Sequence, residues 1–185
     1  MLKWIWITFV VVFLDQLTKW MAQAQIDYTT TMIKVDGVIR EVVSSVEAIP
    51  VFPHLNWSFA YNYGAAFNFL SGQGGWQRWF FVGLSTVVSI VLFIWLARLK
   101  KNETGMAVGL SLILGGAIGN LIDRFMNGRV IDFIDVYADW DVFFLHNGHF
   151  ATFNVADIAI NLGAMVLIGL SLFANENSSR RVSEN

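Results

Sequence analysis

The chain has 185 residues, of which 56% are hydrophobic and 14% are charged, and its formal net charge at pH 7 is −2. This composition is too apolar for an ordinary soluble domain, and no basic cluster indicates a nucleic-acid partner. The chain contains no cysteine, which excludes disulfides, thiolate catalysis and cysteine-ligated metals.

Four apolar stretches are long enough to cross a membrane, because a spanning helix needs roughly 20 mostly apolar residues. They are residues 2–21, 79–99, 105–125 and 153–173. We therefore predict one integral membrane domain, residues 1–185, of the all-α class. It is a bundle of four transmembrane helices with a small extracytoplasmic β-sheet on the periplasmic side.

Lysine and arginine in short loops set the orientation of such a bundle, because these loops stay in the cytoplasm. Arg98, Lys100 and Lys101 crowd the link between the second and third spans. Both termini are therefore predicted to be cytoplasmic, and the longer loops, residues 23–78 and 126–152, to be periplasmic.

The first segment has an alternative interpretation as a cleaved signal peptide, with residues 22–24 (AQA) as the cleavage site. Asp15, Lys19 and Trp20 argue against it, because they put large or charged groups just before that site. Asp15 and Lys19 are also four residues apart, acid before base, which favours an ion pair within one helix. We interpret this pair as a structural clamp.

The first outer loop contains strand patterns. Apolar and polar residues alternate from Leu55 to Asn62, which predicts a half-buried strand. Asp36 and Gly37 form a turn signal, which predicts a small hairpin within residues 35–46. An open sheet edge must face water and not lipid, so this sheet is expected on the membrane surface.

Polar residues interrupt the apolar spans at one level of the predicted bundle. An ionisable group in hydrocarbon costs at least ~2.5–3.5 kcal/mol, so such residues are functional candidates. Because the helices alternate in direction, one membrane face collects Asp15, Lys19, Asn120, Asp123, Arg124, Asp132, Asn154 and Asp157. Gly116 and Gly119 share a face with Asn120 and Asp123, and Gly115 and Gly119 form a small-xxx-small pair that lets a neighbouring helix pack closely. Asp123 and Arg124 are interpreted as holding loops or lipid headgroups.

Asp132 and Asp157 are the candidate catalytic pair. Asp132 lies in an apolar run just after the third span, and Asp157 about one turn into the fourth. Two carboxyls that share a proton supply a general acid and a general base, which is the chemistry of peptide hydrolysis. The alternative is two unrelated aspartates, one in a loop and one capping a helix. Asp135 competes with Asp132, but its polar surroundings predict that it is solvated.

Other hydrolytic chemistries lack their residues. The sequence contains neither H-E-x-x-H nor G-x-S-x-G. His146 and His149 are three residues apart without an obvious third ligand, and a zinc site needs three or four. No metal and no cofactor are therefore expected.

Five segments of the chain together resemble the type II (lipoprotein) signal peptidases, which are bacterial intramembrane aspartic proteases. They are residues 15–19 (DQLTK), 61–67 (YNYGAAF), 115–124 (GGAIGNLIDR), 130–133 (VIDF) and 153–157 (FNVAD). The resemblance covers most of the chain. It departs from the family at residues 27–47, where many members have a shorter connection, and we expect this insertion to enlarge the outer sheet.

The resemblance implies roles for individual residues. Asp132 and Asp157 become the catalytic dyad of a peptidase in the bacterial inner membrane. Asn62, Asn120, Arg124 and Asn154 line the site, and Asp15 and Lys19 support it. Gly64 allows close backbone approach to the substrate or across the cleft; a tight surface turn is the alternative. The implied substrate is a prolipoprotein whose cysteine carries a diacylglyceryl group. We expect the protein to act as a monomer among membrane lipids.

Two other functions remain open at this stage. A small proton-coupled transporter would use the buried acids as a relay, but it should spread polar groups across the full membrane depth. A non-catalytic assembly subunit would account for the packing glycines and leave the paired aspartates unexplained.

Overall fold

The computed structural model describes residues 1–35, 38–64, 76–138 and 148–183. Its helices are α1 (Ile5–Gln25), which follows a 3-10 turn at Leu2–Trp4, α2 (Trp76–Arg98), α3 (Thr104–Asn127) and α4 (Val155–Ser183). Each has a stretch long and apolar enough to span a membrane, which for α4 is Val155–Leu172. The four predicted apolar helices are therefore present.

The helix boundaries differ from the prediction where polar residues extend or end a helix. α2 begins at Trp76, three residues earlier than predicted, and its first turn includes Gln77 and Arg78. α4 begins at Val155 and not at Phe153, because Asn154 accepts a hydrogen bond from the backbone amide of Asp157 and so acts as the N-cap.

The all-α class was wrong, because the described residues include five β-strands in two sheets. They are β1 (Tyr28–Val35), β2 (Val38–Val46), β3 (Ile49–Phe52), β4 (Leu55–Asn62) and β5 (Val130–Val136). β1 and β2 form an antiparallel pair, and β3, β4 and β5 form an antiparallel sheet in that order. The alternating segment of the sequence is β4, as predicted.

The hairpin in the first outer loop is longer than predicted. β1 and β2 pair from Tyr28 with Val46 up to Val35 with Val38, while the turn signal at residues 36–37 lies outside the described residues. Residues 27–47 were expected to enlarge the outer sheet. They instead form the separate two-stranded sheet, which packs against β4 through Tyr28, Val43 and Val46.

A small apolar core joins the sheets to the bundle. Ala22 and Ile26 at the end of α1 pack with Phe59 of β4 and Phe133 of β5, all at most 4% exposed. The ring of Tyr28 stacks on Phe59 with centroids 4.1 Å apart. This core fixes β5, and therefore Asp132, above the end of α1.

α3 is the central helix and contacts α1, α2 and α4. Its glycines make close contact possible, because a Cβ on Gly115 would lie 2.7 Å from Val11 of α1. A Cβ on Gly116 would collide with the backbone carbonyl of Ala156 in α4. The predicted packing role of these glycines is therefore confirmed.

Replacing Gly116 with alanine is expected to destabilise the bundle by about 1–3 kcal/mol, because the blocking atom is backbone and cannot rotate away. Gly83→Ala is the matched control, since nothing lies within 4 Å of a Cβ there. The control is expected to be neutral or to stabilise α2 by up to about 1 kcal/mol. Unfolding by SDS titration in mixed micelles measures both, and equal effects of the two changes would contradict the packing role.

Candidate active site

Asp132 is the buried carboxylate of β5, with 2% of its surface exposed. Its Oδ2 accepts a hydrogen bond from Asn62 Nδ2 at 2.9 Å, and its Oδ1 accepts one from Asn154 Nδ2 at 2.6 Å. Burial is the largest influence and raises the pKa of this carboxyl; the bond from Asn62 opposes it, and the negative charge of Asp157 adds to it. The resulting pKa is about 6.

Asp157 lies in the first turn of α4 and exchanges hydrogen bonds with the N-cap residue. Its backbone amide donates to Asn154 Oδ1 at 3.0 Å, and its Oδ2 accepts from the backbone amide of Asn154 at 3.3 Å. This reciprocal pattern is a capping box. The helix-capping alternative therefore describes part of what Asp157 does. Asn154 also bonds Asp132, so a single residue bridges the two carboxyls.

Asn120 of α3 connects the pair to the centre of the bundle. Its Nδ2 donates to Asp157 Oδ1 at 2.9 Å, and its Oδ1 accepts from Lys19 Nζ at 3.1 Å. A lysine ammonium can only donate, so it fixes which side of the Asn120 amide faces α1. The amide NH2 must then point at Asp157.

Lys19 is the hub of a buried ionic cluster. Its Nζ lies 2.8 Å from Asp15 Oδ2 and 2.9 Å from Asp123 Oδ2. The same two carboxylates also bind backbone: Ala156 N donates to Asp15 Oδ1 at 2.9 Å, and Ile131 N donates to Asp123 Oδ2 at 3.2 Å. The cluster thus anchors the start of α4 and β5, the two elements that carry Asp157 and Asp132.

The predicted intrahelical pair of Asp15 and Lys19 is present. Asp123 was interpreted as holding a loop or a lipid headgroup; it is instead buried, pairs with Lys19 and accepts from the backbone amide of Ile131 in β5. Sequence reasoning gave no separate role to Gln16, whose Nε2 donates to Asp123 Oδ1 at 3.0 Å and to Gly119 O at 3.2 Å. The sequence signal that could have indicated this role is the place of Gln16 in the DQLTK segment, directly after Asp15.

Asn62 and Gly64 form a turn beside Asp132. The amide of Gly64 donates to Asn62 Oδ1 at 2.8 Å, which directs Asn62 Nδ2 toward the carboxylate. Gly64 has a φ of +77°, and a Cβ there would lie 2.7 Å from Cε2 of Phe81. The turn therefore requires glycine at this position, and it lies close to α2. Ala65 and Ala66 lie outside the described residues.

Arg124 is half-buried on α3. Its Nη1 donates to the carbonyl of Asn120 at 3.4 Å, and its guanidinium lies over Phe81 with Cζ 5.5 Å from the ring centroid. Its buried Nε has no hydrogen-bond partner in the part of the chain that the structure describes. Arg124 therefore keeps a donor at the edge of the polar cluster.

Asp135 was predicted to be solvated, and this was wrong. It is 6% exposed and accepts from Asn56 Nδ2 at 3.0 Å and lies 2.8 Å from Nδ1 of His149. Successive side chains of a strand alternate in direction, so Asp135 points away from the face that carries Asp132. Within the described ranges no group of three His, Cys, Asp or Glu could hold a metal, and His146 lies outside them.

The raised pKa of Asp132 predicts how the free energy of unfolding changes with pH. The folded state binds this proton up to about pH 6, against a usual value of 3.8, so the stabilisation is complete below pH 3.8 and is lost as the pH rises through 6. We expect the wild type to lose roughly 3 kcal/mol between pH 3.5 and pH 7 from this group. Asp132→Asn cannot titrate and should lack that component when both proteins are unfolded across the range. Identical pH profiles would contradict the raised pKa.

The fold and this cluster indicate an integral membrane protein with two carboxyls at one end of its bundle, each hydrogen-bonded to Asn154. Two carboxyls joined in this way fit the general acid–base pair of an aspartic protease. Residues 7–173 match the family model for signal peptidase (SPase) II. The chain belongs to the signal peptidase II family, as its five segments predicted.

Relatives and solved structures agree with this assignment. The lipoprotein signal peptidase of Hydrogenovibrio crunogenus is 44% identical over 88% of this chain and 81% of its own length. The lipoprotein signal peptidase of Pseudomonas aeruginosa strain UCBPP-PA14 is 44% identical over 96% of this chain and 91% of its own length. A bacterial membrane enzyme solved by the in meso method at 2.3 Å resolution is 30% identical, with a TM-score of 0.69 over 95% of this chain and 90% of that one.

Proposed function

We propose that this protein is a lipoprotein signal peptidase, an aspartic endopeptidase of the membrane. It cleaves the signal peptide from diacylglyceryl-modified prolipoproteins immediately before the lipidated cysteine. The observation that carries the proposal is the pair Asp132 and Asp157, both hydrogen-bonded to Asn154. Membership of the signal peptidase II family supports the substrate.

In the proposed mechanism the pair shares one proton, which we place on Asp132 because burial raises the pKa of that carboxyl and so favours its protonated form. Asp157 takes a proton from water as the water oxygen bonds to the scissile carbonyl carbon. Asp132 gives its proton to the carbonyl oxygen. As the C–N bond breaks, Asp157 donates to the departing amine, and Asp132 recovers a proton from the tetrahedral hydroxyl. Both carboxyls return to their starting state.

The surrounding residues position this pair. Asn62 and Asn154 aim the Asp132 carboxyl, and Asn120 aims that of Asp157. Asp15 and Lys19 fix the elements beneath them. Arg124 and Gly64 border the site and are proposed to contact the substrate backbone or its lipid-linked cysteine. The mechanism needs no metal and no cofactor.

We propose an inner-membrane location with both termini in the cytoplasm. The cationic link of Arg98, Lys100 and Lys101 joins α2 to α3 at the end opposite the carboxyls, which supports a periplasmic site. A site at that level lets the substrate keep its acyl chains in the bilayer while the scissile bond meets Asp132 and Asp157. We propose that residues 1–185 act as one domain and as a monomer.

The transporter alternative is not supported. The family is one of peptidases, and the buried charged groups of the described spans gather near one end and do not line a path across the membrane. The assembly-subunit alternative leaves the bridged carboxyls without a role.

The proposed activity is tested with purified full-length protein in detergent and two synthetic prolipoprotein peptides, one carrying the diacylglyceryl thioether and one with a free cysteine. We expect only the lipidated peptide to be cleaved, and mass spectrometry of the products should show lipidated cysteine as the new N-terminus. Cleavage at another bond, or of both peptides equally, would contradict the proposed substrate class.

A further inference from the structure

Outside the candidate site, the described residues enclose a cleft of about 440 Å³. One wall is the β1–β2 hairpin, which contributes Arg40 and Glu41. The other is formed by Arg78 in the first turn of α2 and by Gly128 and Arg129, which follow α3. The cleft therefore lies between the inserted residues 27–47 and the ends of two membrane-spanning helices.

The cleft is positively charged, with three guanidinium groups against one carboxylate. Arg129 Nη2 lies 2.8 Å from Glu41 Oε2, and its Nη1 donates to the Tyr63 hydroxyl at 3.0 Å. Tyr63 in turn donates to the backbone carbonyl of Glu41 at 2.7 Å. These bonds tie the hairpin to the end of β4 and hold the wall of the cleft in place.

The other two arginines also have partners within the protein. Arg78 Nε donates to the Arg124 carbonyl at 3.1 Å, and its Nη2 donates to the carbonyl of Phe125 at the end of α3. Arg40 lies over the ring of Tyr63, with Cζ 5.3 Å from the centroid. A contact with a ring face uses none of the five N–H donors of a guanidinium, so Arg40 is suited to bind an anion.

The position of the cleft indicates the source of that anion. Arg78 begins one membrane span and Gly128 ends another, so the cleft opens at the bilayer surface. Met32 and Ile39 of the hairpin also line it, and they are 68% and 70% exposed. Exposed apolar side chains beside arginines are typical of segments in the headgroup region of a membrane.

We propose that this cleft binds the phosphate of a glycerophospholipid from the adjoining leaflet, with Arg40 as the principal cation and with Met32 and Ile39 against the lipid glycerol and upper acyl chains. The inserted hairpin is thus a lipid-binding element that the rest of the fold supports through Glu41 and Arg129. The proposal needs only a membrane-spanning bundle and does not depend on the peptidase reaction.

Native mass spectrometry of the purified full chain, titrated with phosphatidylglycerol, tests this site. Arg40→Gln is expected to weaken the apparent affinity about fivefold, the effect of one cation near an anionic lipid surface. Lys101→Gln is the matched control, because it removes the same charge from an exposed residue at the opposite end of α2, and its affinity should be unchanged. Digalactosyldiacylglycerol, which lacks phosphate, should bind weakly and equally to all three proteins.

Three results would overturn the proposal. They are equal phosphatidylglycerol binding by wild type and Arg40→Gln, displacement of the lipid by millimolar inorganic phosphate, and displacement by an aspartate-rich peptide, which would make the cleft a peptide site. Arg40→Gln should still cleave the lipidated peptide in detergent, because Arg40 is outside the candidate active site. Loss of cleavage by every protein, wild type included, would contradict the proposed peptidase and leave the lipid measurement standing.

Discussion

Asp132→Asn and Asp157→Asn are each expected to lower kcat/KM for the lipidated peptide by at least about 10³-fold, within the range that general acid–base groups contribute. Asparagine keeps the size of the side chain but can neither accept the proton of the attacking water nor donate a proton to the carbonyl oxygen. Each variant should still fold. If the NH2 group of the new asparagine faces a hydrogen-bond donor, the lost hydrogen bond costs only about 1–3 kcal/mol of stability. Cleavage assays and thermal unfolding in the same detergent measure the two effects.

Asp135→Asn is the matched control for these variants. Asp135 lies on the same strand as Asp132 and is similarly buried, at 6% against 2% exposed, but it bonds Asn56 and His149 and not the candidate site. We expect its kcat/KM to stay within a few-fold of the wild type. Near-normal turnover by either dyad variant, or an equal loss in the control, would rule out the assignment of the pair.

Lys19→Met is expected to be the most destabilising single change, by about 3–5 kcal/mol, because it leaves Asp15 and Asp123 buried without their shared cation. Lys19 is 2% exposed, so water cannot replace the lost charge. Activity should fall with stability, since the bonds from Ala156 and Ile131 to these carboxylates locate both halves of the dyad. Unfolding in mixed micelles gives the free energy.

The double variant Lys19→Met/Asp123→Asn separates charge from packing. Removing one of the two orphaned carboxylates should recover part of the lost stability, although each change alone destabilises. Lys100→Met, at an exposed lysine of the α2–α3 turn, should have almost no effect. If the double variant were no more stable than Lys19→Met, the uncompensated charge would not be the cause.

Much of the fold follows from local sequence patterns. The four spans are predictable because hydrophobic length alone decides whether a helix can cross a bilayer. β4 is predictable because apolar and polar residues alternate along it, although Ser58 and Phe59, on opposite faces, are both buried in the structure. β5 carries no such signal: Val130 to Phe133 are all buried, so its residues do not alternate in polarity, and the strand is visible only once β4 pairs with it.

The candidate site shows the same limit. The polar residues were predictable because each is expensive within an apolar span, and the Asp15–Lys19 pair follows from helical spacing. The burial of Asp135 was not, since it depends on Asn56 and His149, which come from distant parts of the chain. The double role of Asn154, as helix cap and as bridge between two carboxyls, likewise requires the positions of three elements.

The ion pair within α1 bears on how the protein enters its membrane. Asp15 and Lys19 lie on one helix, one turn apart, so the first span can pass into the bilayer carrying a neutral pair and not two separate charges. Asp123 arrives only with α3 and meets a lysine that is already in position, and the amide of Ile131 follows with β5. The first span therefore does not have to expose an isolated cation to lipid when it enters the membrane before the other three.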